Sequence, residues 1–271
     1  MTDTAEFQPL PLIMAAPNGA RKTKDDHPAL PMSVIETVET AKACHEAGAT
    51  GLHALVRNDA GMHVLDAGLY KTLLSELSRT VPEMQVQITT EAVGIYGPHE
   101  QRDLVHKVRP KAVSIALREM IPDDDVVAAG EFYTWALGEK IAIQHILYTP
   151  QDLEHFFAFT ASGVIPGTHH QLLFVLGRYA TDLESTPEDL EPFLETMAPA
   201  QGGLVLDWAI CAFGHRETEC LVRAIQMGGK ARIGFENGIW NRHGDLATDN
   251  ADRVRDLIQA LKEQGLYPSE D

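Results

Sequence analysis

The feature that most limits the fold is an alternation repeated eight times. Short aliphatic or β-branched runs occur at residues 12–16, 51–56, 85–89, 112–116, 140–146, 171–176, 203–210 and 231–235, with longer amphipathic stretches between them. In residues 33–47, for instance, Val34, Val38, Ala41 and Cys44 recur at helical spacing and predict one buried stripe. Thr149-Pro150 and Ser185-Thr186-Pro187 read as helix starts, a capping hydroxyl followed by proline in the first turn. Gly48, Gly202-Gly203 and Gly228-Gly229 read as helix stops. Strict alternation with short connections predicts a parallel sheet, and eight units without a compositional break predict its closure into a single-domain (β/α)8 TIM barrel over residues 1–271. Residues 1–10, the loop Pro17–Pro31 and the tail 267–271 are expected to be the least regular parts. An open doubly wound sheet is the rival, but neither GxGxxG nor GxxxxGK[ST] is found in the chain.

Charge narrows the function classes. With 39 acidic and 22 basic residues the formal charge is −17, a field that repels nucleic acid and anionic membranes. Cys44, Cys211 and Cys220 show no CxxC spacing and read as reduced thiols. No apolar run approaches the roughly 18 residues needed to span a bilayer, and residues 1–8 do not resemble a signal peptide. A cytoplasmic location is expected.

In a (β/α)8 barrel the chemistry sits at the C-terminal ends of the strands. Alternation gives His53, Leu55 and Arg57 one direction and Arg232, Gly234 and Glu236 another, all toward one mouth. Thr89 and Thr90 end strand 3, Arg118 follows strand 4, Gln144 and His145 lie on strand 5, Trp208 lies near the end of strand 7, and Arg21, Lys22 and Lys24 follow strand 1. Blander readings stand beside these. His53 could be a core histidine, Arg57 and Arg232 partners for carboxylates, Glu236 a helix N-terminal acid, and the 21–24 cations a solvated loop. His27, His169 and His170 read as structural. From the residues alone, the inference reaches a barrel enzyme for an anionic small molecule.

Four segments carry it further: AAPNGARKTKDDHPALP (15–31), EAGATGLHALVR (46–57), QITT (87–90) and MGGKARIGFEN (227–237), in order with FVLG (174–177). Together they resemble the β-keto acid cleavage enzyme family, of the 3-keto-5-aminohexanoate cleavage type. The resemblance implies a zinc-dependent barrel, a homotetramer or other homo-oligomer, that converts a β-keto acid and acetyl-CoA into acetoacetate and an acyl-CoA. The metal would be held by an HxH pair after strand 2 and a glutamate after strand 8. Here these positions are His53, Leu55 and Glu236, so the resemblance implies a zinc site weakened by Leu55, because leucine cannot ligate. It also implies catalytic roles for Arg232, Asn237 and Thr89, and substrate contacts at Arg21, Arg118, Gln144 and Thr90. Two family acids are amides in this chain, Gln144 and Asn237, and Glu91 stands where the family has a Gly-Gly pair. The loss of acids and the arginines at 21 and 118 predict a more positive pocket for a carboxylated keto acid. A non-catalytic organic-acid-binding barrel and a metal-independent lyase or isomerase remain open.

Overall fold

The computed structural model describes residues 8–122, 125–178, 180, 182–198 and 203–267. Eight parallel strands close on themselves in the order β1 to β8, with β1 (Ile13–Ala15) between β2 (Gly51–Ala54) and β8 (Lys230–Ile233). The others are β3 (Gln85–Thr89), β4 (Ala112–Ala116), β5 (Ala142–Leu147), β6 (His169–Leu176) and β7 (Val205–Ala212). The barrel is the predicted fold, with several boundaries moved. β5 starts later because Lys140 takes a left-handed φ of 59° in the turn that ends the preceding helix. β8 stops before Phe235 because Gly234 has φ 145°, and a Cβ there would lie 2.4 Å from the Ala16 carbonyl oxygen. His169 and His170 open β6 at the bottom of the barrel rather than preceding it.

Alternation sorts each strand between two environments. Leu52, Ala54, Ile88, Val113, Ile115, Leu172, Phe174, Ile210 and Ile233 face the helical layer and form its main core. Trp208 belongs to that layer too: it stacks on Phe174 with ring centroids 5.7 Å apart and sits over Gly229, well away from the mouth. Inside the barrel, Met14, Ile146, Leu173, Val175, Cys211 and Phe213 form a second apolar cluster. Buried among these strands are the polar residues His53, Gln87, Ser114, Gln144 and Arg232.

Both helix starts read from a capping hydroxyl and proline are found, the one at Thr186 as a 3-10 turn. α1 (Val34–Glu46) is capped by Ser33, with Glu36 completing the reciprocal box, and buries Thr37, Ala41 and Cys44. α2 (Ala67–Thr80) and α3 (Pro98–Val108) follow β2 and β3; a short α4 (Leu117–Met120) and α5 (Val126–Gly138) both follow β4. Thr149 caps α6 (Pro150–Ala161), and Thr186 opens a 3-10 turn leading into α7 (Glu191–Met197). α8 (Glu217–Gln226) and α9 (Asn250–Glu263) complete the ring. Gly48 and Gly228 have positive φ at helix ends, as expected, whereas Gly202 lies outside the described residues. No helix among the described residues is long and apolar enough to cross a membrane, and the three cysteines are buried free thiols.

Candidate active site

A cavity of about 390 Å³ opens at the C-terminal ends of the strands. His53, Thr89, Arg232, Glu236, Asn237 and Arg21 all line it, so the fold brings together residues from β2, β3, β8 and the loop after β1. Three other expected contacts lie elsewhere. Thr90 points toward α3, where its hydroxyl meets Gln101 Oε1 at 3.0 Å. Arg118 is not among the lining residues; its guanidinium grips Asp152 through two hydrogen bonds of 3.2 and 2.6 Å and lies over the Tyr148 ring. Gln144 is buried inside the barrel, and both ends of its amide are engaged.

That engagement fixes the state of His53. Gln144 Nε2 donates to the Leu172 carbonyl at 3.3 Å, leaving its Oε1 to accept from Gln87 Nε2 at 3.0 Å. Gln87 Oε1 then faces His53 Nδ1 at 3.0 Å and can only accept, so Nδ1 carries the hydrogen. The Nε2 lone pair is left facing Glu236 Oε2 across 3.5 Å. Burial pushes the imidazole pKa down to about 4, with the Arg232 charge adding to the effect, so His53 is neutral in ordinary buffers. Burial is the largest single influence on Glu236 and opposes its charge, but the cations around it, Arg232 first and then Lys22 and Arg178, together outweigh it and hold the carboxyl below its usual range. Glu236 Oε2 is buried and accepts no hydrogen bond among the described residues. Two acceptors therefore face one another, an arrangement that calls for a donor or a cation between them.

The donor set tests whether zinc fits. A separation of 3.5 Å is close to the roughly 3.4 Å expected between two tetrahedral ligands at bond lengths of about 2.0–2.2 Å. Two donors are half of such a site, and the third family position is Leu55, buried and not among the residues lining the cavity. Among the described residues no three His, Cys, Asp or Glu side chains are grouped to hold a metal ion. A catalytic zinc with three protein ligands does not fit these residues, and no step of the reaction is assigned to one.

Arg232 is the strongest fixed cation of the floor. Its Nη2 contacts Cys211 Sγ at 3.4 Å and Glu236 Oε1 at 3.2 Å, while Nε and Nη1 are buried without partners among the described residues. Burial works against its charge, yet the Cys211 sulfur and Glu236 outweigh that and raise its pKa. Both amide atoms of Asn237 are likewise buried and without a partner among the described residues. Buried polar groups left unpaired cost on the order of 1–3 kcal/mol each, free energy that hydrogen bonds to a ligand recover.

The loop after β1 is held from below. Arg57 does not reach the cavity; its Nη2 donates to the carbonyls of Asn18, Gly19 and Lys22 and its Nη1 to that of Gly61. Lys22 donates to the Glu236 carbonyl at 2.8 Å, and Gly19, at φ 58°, passes so close that a Cβ would lie 2.7 Å from Glu236 Cγ. His27 pins the same loop by a 2.8 Å contact to the Ala247 carbonyl, so it is structural as read from the sequence.

Arg178, immediately after the FVLG segment, lines the cavity with its guanidinium 5.2 Å from the Phe213 ring centre. The rule that locates the other residues, a polar side chain just beyond a strand, also singles out Arg178, but the family segment ends one residue short of it, at Gly177. The lining holds four cations, Arg21, Lys22, Arg178 and Arg232, against six carboxyl groups, Asp26, Glu91, Glu119, Asp182, Glu184 and Glu236. Of these carboxyl groups, Glu184 is already paired with His215 at 2.8 Å.

A sequence model of the beta-keto acid cleavage enzyme family matches residues 11–270. The chain belongs to the β-keto acid cleavage enzyme family. It is 24% identical over 261 residues to the 3-keto-5-aminohexanoate cleavage enzyme of Fusobacterium nucleatum, covering 94% of this chain and 92% of that one. To the 3-oxoadipate:acetyl-CoA acetyltransferase of Cupriavidus necator it is 26% identical over 269 residues, covering 94% and 89%. Among solved structures, a binary complex of ObcA with oxaloacetate superposes with a TM-score of 0.68 at 14% identity. That match covers 89% of this chain and 65% of ObcA, and it shows the shared fold. This family member is thus an enzyme of β-keto acid chemistry built on a closed barrel.

Proposed function

We propose that this family member transfers the acyl group of a β-keto acid to coenzyme A at the expense of acetyl-CoA, releasing acetoacetate, and that it favours keto acids carrying a second carboxylate. The observation that carries the reading is the floor. The unpartnered Nε and Nη1 of Arg232 and the free Asn237 amide meet a cavity that has another guanidinium, Arg178, in its lining. Preorganised donors beside a reacting carbonyl stabilise the oxyanion that develops there, and in acyl transfer this commonly lowers the barrier more than any other effect. In this assignment Arg232 and Asn237 face the oxyanion, Glu236 holds Arg232 in register, and Thr89 lines the wall. Arg178 and the exposed Arg21 receive the distal carboxylate.

The test is acetoacetate formation from acetyl-CoA and a panel of mono- and dicarboxylic β-keto acids. Saturable binding of the panel without acetoacetate would favour the organic-acid-binding barrel instead. The same reading places the protein in the cytoplasm as a homo-oligomer, a homotetramer by family resemblance. Supporting assembly, α5 is mostly apolar, Glu131 and Thr134 apart, yet leaves Val127 77% and Leu137 44% exposed. Light scattering would give the subunit number.

A further inference from the structure

Two acids expected from the family are amides here, and neither can move a proton: Gln144 is locked in the relay beneath His53, and Asn237 does not titrate. Of the remaining groups near the floor, neutral His53 is a weak base and Glu236 is held ionised beside Arg232. Glu91 is different. Its backbone is fixed on both sides, the N–H donating to Thr89 Oγ1 at 3.2 Å and the carbonyl accepting from His63 Nε2 at 2.9 Å. The side chain lines the cavity with Thr89, His53 and Glu236, and its carboxyl makes no hydrogen bond or ion pair among the described residues. A positioned carboxyl without a partner can exchange a proton with a ligand in the cavity.

Its surroundings suit that exchange. Burial raises the Glu91 pKa most, Glu236 and Glu119 add to this, Arg178 and Arg232 oppose it, and the result is about 7. Arg57, Tyr70 and His63 are the other titratable or charged groups bearing on it. Proton transfer is most efficient when the group's affinity lies near the working pH.

We propose that Glu91 is the catalytic proton-transfer residue of this enzyme, a role that rests on the β-keto acid reading above. As a carboxylate it takes one proton from the methylene between the keto and carboxylate groups. The electron pair left on that carbon forms the bond to the acetyl carbonyl of acetyl-CoA. The sulfur then passes from the acetyl carbonyl carbon, whose C–S bond breaks as its C=O re-forms, to the keto carbon of the acid. When the bond between the former keto carbon and the methylene carbon breaks, its electrons remain on the methylene carbon, which recovers the proton from Glu91 as acetoacetate forms. One carbon–carbon and one carbon–sulfur bond form, one of each breaks, and no net proton is gained or lost.

The experiment compares wild-type enzyme with Glu91→Gln and Glu91→Asp, following acetoacetate production across pH and, without acetyl-CoA, solvent deuterium entry into the keto acid methylene above background. Glu91→Gln should lower kcat by about a hundredfold or more, within the range for loss of a general acid–base. KM should stay within about threefold, the limb of the pH profile near 7 should vanish, and deuterium exchange should fall in parallel. Glu91→Asp should recover part of both rates. Thermal melting and keto acid binding by calorimetry show whether each variant is folded; if Glu91→Gln is not, the same comparison is made on Glu91→Asp, which should be slowed at least tenfold. Wild-type production of acetoacetate with an unchanged kcat, pH limb and exchange rate in the variants would overturn the role of Glu91 alone. A wild-type enzyme that makes no acetoacetate from any keto acid would overturn the parent reading and this one together.

Discussion

Replacing Arg178 by alanine should change which keto acids bind. The guanidinium is partly buried, lies 5.2 Å from the Phe213 ring centre and has no ion-pair partner among the described residues, so its charge is available to a ligand. A charge-assisted hydrogen bond is worth about 1.5–3 kcal/mol when shielded from water. Partial exposure reduces this through screening to roughly 1–2 kcal/mol. At about 1.4 kcal/mol per decade, Arg178→Ala should weaken a dicarboxylic keto acid by about five- to thirtyfold. A keto acid with a neutral tail should lose less than about threefold, because its one carboxylate and its keto oxygen can still use Arg232. Titration calorimetry without acetyl-CoA measures both affinities without turnover. Arg178→Lys should recover only part of the loss, since an ammonium cannot make the two-pronged contact. Arg21→Ala, an exposed position at the rim, should cost less, about threefold. Equal losses on both ligand classes would show that Arg178 serves the Phe213 wall rather than the distal carboxylate.

Gly19→Ala should push Glu236 out of place and lower kcat at least tenfold, whereas Gly94→Ala, also at positive φ but with nothing within 4 Å, should cost only about 1 kcal/mol of stability; steady-state kinetics and melting of the pair separate the two effects. Arg118→Ala should leave keto acid affinity within threefold while lowering stability by roughly 1 kcal/mol, read by denaturant unfolding, because it releases Asp152 and the start of α6. Burial holds His145 well below its ordinary pKa of 6.5, packed among Tyr133, Phe156 and His170. The unfolded chain takes up a proton there below about pH 6.5 and the folded chain does not, so stability is full above that pH and falls as the solution becomes more acid. His145→Phe should therefore flatten the melting temperature between pH 6.5 and 5, by up to about 1.4 kcal/mol per pH unit. An unchanged slope would assign the acid sensitivity to other groups.

Much of this is legible in the chain because a barrel imposes two periodicities at once. The eight runs and their order follow from alternation, which finds the central residues of every strand. It does not find the ends, because turns with left-handed residues such as Lys140 and Gly234 decide them, and hydrophobic pattern carries no φ. The same limit applies at the site. His53, Arg232, Glu236 and Asn237 follow from strand parity and from the family segments, and the fold gathers them. Parity misplaces Arg57 because β2 ends at Ala54, after which alternation no longer sets direction. Position alone points to Arg118 and Gln144, while their placement depends on partners distant in sequence, Asp152 and the pair of Gln87 and Leu172. Glu91 is visible in the chain only as a departure from the family pattern. Its setting depends on Glu236 and Glu119, which nothing in the linear chain places beside it.

The run of amides from the Leu172 carbonyl through Gln144 and Gln87 to His53 has a further consequence. None of its members upstream of the imidazole gains or loses charge in water, so the bearing of the ring is insensitive to pH and to salt. The groups that respond to acidity, Glu91 and Glu119, hang from segments beyond the strands instead. Orientation and acidity are thus stored in different parts of the molecule. Loops could be exchanged to shift the pH at which such an enzyme works while the floor keeps its aim, a separation that a laboratory seeking altered pH optima could use directly.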